Sequence, residues 1–109
     1  MTVEVRSVKV GEVVIGGGTG VLIAGPCSVE NLEMLGTIAE AAVASGVSIL
    51  RGGSFKPRTS PYSFQGLGTE GLSLLEQVRH EFGIPVVSEV MAIDQIEPSL
   101  AAVDMIQVG

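Results

Sequence analysis

The stretch VSILRGGSFKPRTS, residues 47–60, joins an aliphatic run to a basic segment through two glycines. The run VSIL has no polar alternation, which is typical of a strand buried on both faces of a parallel sheet. Gly52 and Gly53 end the run, and the residues that follow are rich in Gly and Pro and predict a loop. The stretch therefore predicts a buried parallel strand followed by a long loop.

Three other runs of the same aliphatic kind occur in the chain. They are VLIAGPC at residues 21–27, IPVVSEV at 84–90 and DMIQVG at 104–109. Segments with helical spacing of their apolar residues separate the four runs. An order in which strands and helices alternate predicts an α/β fold with a parallel sheet.

The helix limits follow from capping residues. We expect Ser28 to cap the first helix and Gly46 to end it, and Thr69 to cap the second helix before Gly83 ends it. Residues 94–103 predict a short third helix.

The chain begins with a different pattern. Residues 3–15 alternate in two short runs around Gly11, which predicts a β-hairpin, and GGGTG at residues 16–20 predicts a connector. We therefore divide the chain into a hairpin with its connector, residues 1–20, and an α/β unit, residues 21–109.

Composition excludes several classes of protein. The chain has 109 residues, 46% of them hydrophobic, with a formal net charge of −6 and one cysteine. No apolar run is long enough to span a membrane, and the N-terminus lacks the apolar centre of a signal peptide. A single cysteine forms no internal disulfide, so we expect a cytoplasmic protein. The acidic balance argues against nucleic-acid binding.

The basic segment, residues 51–68, concentrates groups that bind anions. Three of the chain's six Lys and Arg residues lie in it, and no Asp or Glu occurs from residue 41 to 69. Its candidate binding side chains are Arg51, Lys56, Arg58, Thr59 and Ser60. One interpretation is a solvated basic loop; the other, which we favour, is a site for a small phosphorylated or carboxylated molecule, because unpaired cations repel one another unless an anion binds.

Three other residues have two interpretations each. Cys27 follows a strand end, where it is either a metal ligand or a small buried apolar residue. Glu89 ends a strand, where it points into a site or pairs with a basic residue. His80 lies one helical turn after Glu76, and we interpret it as a residue of the helix surface.

The motifs resemble those of a known family. AGPCS at residues 24–28, LRGGSFKPRTSPYSFQGLG at 50–68 and EG at 70–71 are similar to the 3-deoxy-D-arabino-heptulosonate 7-phosphate (DAHP) synthases, in particular the microbial subgroup with an N-terminal hairpin. The runs at 83–90 and 104–109 resemble that family's third and fourth barrel strands. The sister family, which makes an eight-carbon sugar acid phosphate, has Asn-Arg-Ser-Ser in place of KPRTS.

The resemblance implies a (β/α)8 barrel that condenses phosphoenolpyruvate with erythrose 4-phosphate, the first step towards the aromatic amino acids. By the matching motifs, Arg51 and Lys56 would contact phosphoenolpyruvate, with Lys56 also a proton donor. Arg58 and Thr59 would hold the phosphate of erythrose 4-phosphate, and Ser60 adds a hydroxyl donor. Cys27 would be one ligand of a divalent metal, Mn, Fe, Co or Zn.

The same resemblance predicts that the chain corresponds to the N-terminal half of such a barrel. A complete barrel needs roughly 250 residues, and the family's other metal ligands and an Ala-Arg pair that grips phosphoenolpyruvate have no counterpart here. A lone cysteine does not hold a catalytic metal, which takes about three protein ligands. We expect little catalysis from the chain alone, and assembly with a second copy or with a complementary C-terminal half. The alternatives are a non-catalytic half-barrel that at most binds phosphorylated anions, and a generic phosphate-binding α/β domain.

Overall fold

The aliphatic runs form a parallel sheet in the computed structural model, which describes residues 6–55 and 67–109. The strands are β1 (Val8–Val10), β2 (Val13–Ile15), β3 (Ile23–Ala24), β4 (Ile49–Arg51), β5 (Val86–Val90) and β6 (Met105–Val108). The helices are α1 (Leu32–Ala44), α2 (Thr69–Phe82) and α3 (Ile96–Ala102), the last preceded by a 3₁₀ turn at Ile93–Gln95. The predicted alternation of strands and helices is confirmed.

The four barrel-type strands pair in the order β3-β4-β5-β6, all parallel. In β4, Leu50 lies opposite Val86 and Arg51 lies opposite Val87. Because neighbouring residues of a strand point to opposite faces, this register divides the sheet into a helix-covered face with Leu50 and an opposite face with Arg51.

The helix-covered face carries the larger core. Leu50 and Val86 pack there against fully buried residues of the helices, such as Leu35 of α1 and Leu75 of α2. Burying each of these side chains stabilises the fold by about 1.5–3 kcal/mol before the entropic cost of ordering the chain. The three helices therefore cover one face of the sheet.

The hairpin β1–β2 covers the amino end of the opposite face. Val10 is buried in a smaller cluster with Ile49 and Val87. The turn residue Gly11 lies beside Pro85, which directly precedes β5. The predicted hairpin with its turn at Gly11 is confirmed, and its position leaves the carboxyl ends of β3 to β6 uncovered by it.

Two predicted helix caps are wrong. The cap of α1 is Asn31, whose side chain accepts a hydrogen bond from the Met34 amide at 2.7 Å, and Ser28 is not the cap. Val29 is fully buried and its amide donates to the Gly53 carbonyl at 2.8 Å, so tertiary contacts delay the start of the helix. Thr69 is the first residue of α2, and Gly68 is the cap.

Within residues 6–55 and 67–109, none of the helices has the length and apolarity needed to cross a membrane.

Candidate functional site

The candidate site lies at the carboxyl ends of the parallel strands, where α/β proteins place their chemistry. Arg51 is the last residue of β4 and is partly buried. It lies on the same face as Ile49 and Val87, the face that would point to the interior of a closed barrel. Its guanidinium therefore belongs to the interior side of the sheet, at the end away from the hairpin.

A close backbone contact brings the end of β3 against Arg51. Gly25 has φ of 155°, and a Cβ at this position would overlap the Arg51 carbonyl. Only glycine allows this approach, since it combines a backbone angle that L side chains rarely adopt with the absence of a Cβ. The contact places the loop that carries Cys27 beside the strand that carries Arg51.

Backbone hydrogen bonds extend this junction across three strands. Gly52, directly after Arg51, donates its N–H to the Val87 carbonyl of β5 at 3.1 Å. Gly53 accepts the Val29 amide at 2.8 Å, which ties the loop after β3 to the loop after β4. The ends of β3, β4 and β5 are thus held together, and a rigid scaffold is the arrangement that positions binding groups well.

Cys27 is exposed, so the interpretation of it as a small buried apolar residue is wrong. Within the part of the chain that the structure describes, no three His, Cys, Asp or Glu side chains lie close enough together to hold a metal ion. A thiolate suits Zn or Fe, and Cys27 would be a single ligand to either.

The remaining predicted site residues, Lys56, Arg58, Thr59 and Ser60, lie outside the described residues. The described residues on either side of them are joined: Gly68 donates its N–H to the Ser54 carbonyl at 2.9 Å. The residues on the two sides of positions 56–66 therefore meet just beyond Arg51, at the carboxyl end of β4.

Glu89 lies on the interior face, opposite Gln107 of β6. Its Oε2 accepts a hydrogen bond from Gln107 Nε2 at 3.1 Å. Glu89 was among the residues predicted from the sequence, and Gln107 was not. Alternation along the strand places Gln107 on the same face as Met105, two residues before it. To conclude that Gln107 lies opposite Glu89, one must also know the register between β5 and β6.

Charged side chains at the opposite end of the sheet pair with one another. Arg79 lies 3.7 Å from Asp104, whose other oxygen accepts the Val86 amide at 2.9 Å. His80 is mostly exposed and lies 3.9 Å from Glu76, which confirms its interpretation as a surface residue of α2. These contacts join α2 to the amino ends of β5 and β6 and therefore stabilise the fold.

Comparison with known proteins gives consistent matches over nearly the whole chain. The model of the DAHP synthetase I family matches residues 2–109. The phospho-2-dehydro-3-deoxyheptonate aldolase of Thermotoga maritima is 47% identical over 102 residues, which is 94% of this chain and 30% of that protein. The 2-dehydro-3-deoxyphosphooctonate aldolase of Geobacter sulfurreducens is 41% identical over 113 residues, covering 94% of this chain and 41% of that protein.

Solved structures agree with the sequence matches. The crystal structure of the Thermotoga maritima phospho-2-dehydro-3-deoxyheptonate aldolase (DAHP synthase) superposes with a TM-score of 0.90 at 45% identity, covering 97% of this chain and 31% of that chain. A truncated form of the Thermotoga DAHP synthase superposes with a TM-score of 0.82 at 40% identity, covering 37% of that chain. The predicted fold, a hairpin followed by the first half of a TIM-type barrel, is confirmed, and the chain spans less than half the length of these relatives.

Proposed function

This chain belongs to the DAHP synthetase I family, and on that premise we propose that it forms the phosphoenolpyruvate-binding half of an enzyme that condenses phosphoenolpyruvate with erythrose 4-phosphate. The proposal rests on the position of Arg51. This residue lies on the interior face at the carboxyl end of β4, where the contacts of Gly25 and Gly52 hold the backbone. A guanidinium there can form two parallel hydrogen bonds to a phosphate or carboxylate, and phosphoenolpyruvate has both groups.

The basic segment would complete the anion site. Lys56 would contact phosphoenolpyruvate and donate a proton, while Arg58, Thr59 and Ser60 would hold the phosphate of erythrose 4-phosphate. Their support is the KPRTS motif and the joining of the segment's two ends beside Arg51. Fixed cations at this position would lower the barrier by neutralising the charge of two phosphorylated substrates brought together.

The described residues do not form a complete metal site. Cys27 supplies one thiol, and a catalytic metal takes about three protein ligands. In the proposal, Cys27 is one ligand of a divalent metal, Mn, Fe, Co or Zn, whose other ligands come from outside the described residues. The metal would polarise the aldehyde oxygen of the second substrate.

The first test measures phosphoenolpyruvate consumption by the purified chain with erythrose 4-phosphate and Mn²⁺, with and without a chelator. Consumption that the chelator abolishes supports the proposed reaction. A folded chain that binds neither substrate, alone or mixed with a complementary C-terminal half, contradicts it.

The second substrate can be tested in the same assay. The relatives' names describe a seven-carbon heptonate and an eight-carbon octonate, and subtraction of the three carbons of phosphoenolpyruvate leaves a four-carbon or a five-carbon aldose phosphate. Because the chain has KPRTS and not Asn-Arg-Ser-Ser, we expect the four-carbon substrate to be preferred. A preference for arabinose 5-phosphate would refute the assignment to the heptonate branch.

The chain would work as part of an assembly, either with a second copy or with a complementary C-terminal half. Among the described strands, β3 and β6 each have one neighbour, and exposed apolar side chains lie on both, including Ile23 and Val108. Unpaired strand edges and exposed apolar surface favour association. Light scattering on the eluting protein tests this, and a monodisperse monomer that does not bind a C-terminal half contradicts it.

A further inference from the structure

Gly71 lies inside the first turns of α2, where glycine is an unfavourable choice. Replacing a helical alanine by glycine costs up to about 1 kcal/mol, and Gly71 is buried, so solvent exposure does not explain it. A Cβ on Gly71 would lie 2.5 Å from Ser54 Oγ and 3.2 Å from Ser54 Cβ. It would also lie 3.2 Å from Leu67 Cβ. The residue is therefore glycine because two other residues occupy the space of its side chain.

Those two residues flank the part of the basic segment that carries Lys56 and Arg58. Ser54 precedes residues 56–66 in sequence and Leu67 follows them directly. The Ser54 carbonyl also accepts the Gly68 amide at 2.9 Å, and the Phe55 ring lies beside Gly68. Gly71 thus lies against the residues on both sides of positions 56–66, at the point where those residues meet.

Among the residues that the structure describes, the fully buried Ser54 hydroxyl has no hydrogen-bond partner. A buried hydroxyl without a partner is unfavourable relative to a methyl group of similar size. Within the described part of the chain, the Ser54 side chain therefore acts by packing against Gly71.

We propose that Ser54, Leu67 and Gly71 form a positioning clamp that sets where the anion-binding side chains of the basic segment stand relative to Arg51. The clamp itself touches no substrate. A side chain at position 71 can displace Ser54 Oγ by rotation, but the Cβ atoms of Ser54 and Leu67 move only with their backbone. A side chain at position 71 would therefore displace the backbone of Ser54 and of Leu67. This inference rests on the proposed function for its effect on ligand binding.

The test is Gly71→Ala, with Gly36→Ala as the matched control. Gly36 lies in α1, and apart from its chain neighbours and the backbone of its own helix, no atom of the described residues lies within 4 Å of a Cβ there. Both changes add one methyl group to a helix, but only the first acts on the clamp. We expect Gly36→Ala to bind phosphoenolpyruvate as the unmodified chain does, and Gly71→Ala to raise its dissociation constant about threefold to tenfold, since displacements below 1 Å already reduce the efficiency of a positioned site.

A rescue variant separates positioning from a general loss of stability. Ser54→Ala with Gly71→Ala removes the hydroxyl nearest to the added methyl group and should recover part of the lost affinity. Ala41→Gly in α1 supplies a chain destabilised by about 1 kcal/mol at an exposed helical position away from the clamp, and its affinity should be unchanged. If Gly71→Ala does not fold, Ser54→Thr enlarges the same contact from the loop side and should weaken binding in the same way.

A second readout does not depend on the ligand. Trypsin cleaves after Arg58 but not after Lys56, because Pro57 follows it, and cleavage after Arg58 should be faster in Gly71→Ala than in Gly36→Ala and Ala41→Gly. If the unmodified chain fails to bind phosphoenolpyruvate while trypsin distinguishes the variants, the proposed function fails and the clamp stands. If Gly71→Ala matches Gly36→Ala in both readouts, the clamp is refuted.

Discussion

Replacement of Gly25 by alanine should destabilise the chain more than any other glycine substitution of similar size in the loops. The added Cβ would overlap the Arg51 carbonyl oxygen and lie 2.8 Å from the Arg51 carbonyl carbon and 2.9 Å from its nitrogen. All three are backbone atoms of β4, which pairs on both sides with β3 and β5. The clash therefore cannot be relieved by rotating a side chain.

The expected cost has two parts. Holding alanine at a φ of 155° costs of order 1–3 kcal/mol. Separating β3 from β4 to make room for the methyl group weakens the sheet further, so we expect a loss of about 3 kcal/mol or more in the free energy of unfolding. This is a large fraction of the 5–15 kcal/mol that holds a typical domain together.

Urea denaturation of three variants isolates these parts. Gly18→Ala has a positive φ of 92°, and apart from its chain neighbours no atom of the described residues lies within 4 Å of the new Cβ, so it measures backbone strain alone. Gly36→Ala has neither strain nor contact and should stabilise the chain by about 0.5–1 kcal/mol. A Gly25→Ala variant no less stable than Gly18→Ala would refute the close contact between the end of β3 and Arg51.

Two further substitutions test polar groups in the sheet. Ser88 is 1% exposed, and its hydroxyl has no hydrogen-bond partner among the described residues. Ser88→Ala should therefore leave the free energy of unfolding unchanged or raise it by up to about 1 kcal/mol. A clear loss of stability would reveal a hydrogen bond to this hydroxyl. Asp104 accepts the Val86 amide at 2.9 Å, so Asp104→Ala should cost about 1–3 kcal/mol by leaving that amide without its partner. Asp104→Asn keeps an acceptor oxygen and should cost less, and equal losses in urea denaturation for the two variants would contradict the role of the oxygen.

The sequence predicted the order of the elements because each element carries a strong local signal. Unbroken aliphatic runs mark the buried strands, helical spacing marks the segments between them, and Gly11 marks the hairpin turn. These signals depend on a few neighbouring residues and do not require the tertiary fold. The division of the chain between residues 20 and 21 stays a prediction. The hairpin and the α/β unit share a cluster of buried residues, in which Val10 packs with Ile49 and Val87.

The helix starts were harder to predict because distant contacts decide them. Ser28 is a suitable cap residue, but burial of Val29 against the loop after β4 moves the start of α1 to Asn31. Gly68 has a φ of 62° and donates its amide to Ser54, which makes it the cap of α2 in place of Thr69. In both cases the competing partner lies in another segment of the chain.

The candidate site was predictable only where local sequence indicates it. Arg51 follows from its position at the end of an aliphatic run, in a segment that excludes carboxylates. The Glu89–Gln107 hydrogen bond depends on the register of β5 with β6, and the contact of Gly71 with Ser54 depends on how α2 returns to the sheet. The spacing of Gln107 from Met105 indicates a shared face only once that register is known, and the contact of Gly71 has no local sequence pattern.

Titration of phosphoenolpyruvate into the purified chain, followed by calorimetry, is the direct test of the anion site at Arg51. Arg51→Gln removes the proposed anion-binding group, and Lys9→Ala removes an exposed positive charge of the hairpin at the other end of the sheet. We expect saturable binding that Lys9→Ala leaves unchanged and that Arg51→Gln weakens by about tenfold or more, since hydrogen bonds to a charged group are worth about 1.5–3 kcal/mol. Equal affinities for the two folded variants would contradict the assignment of the site to the carboxyl end of β4.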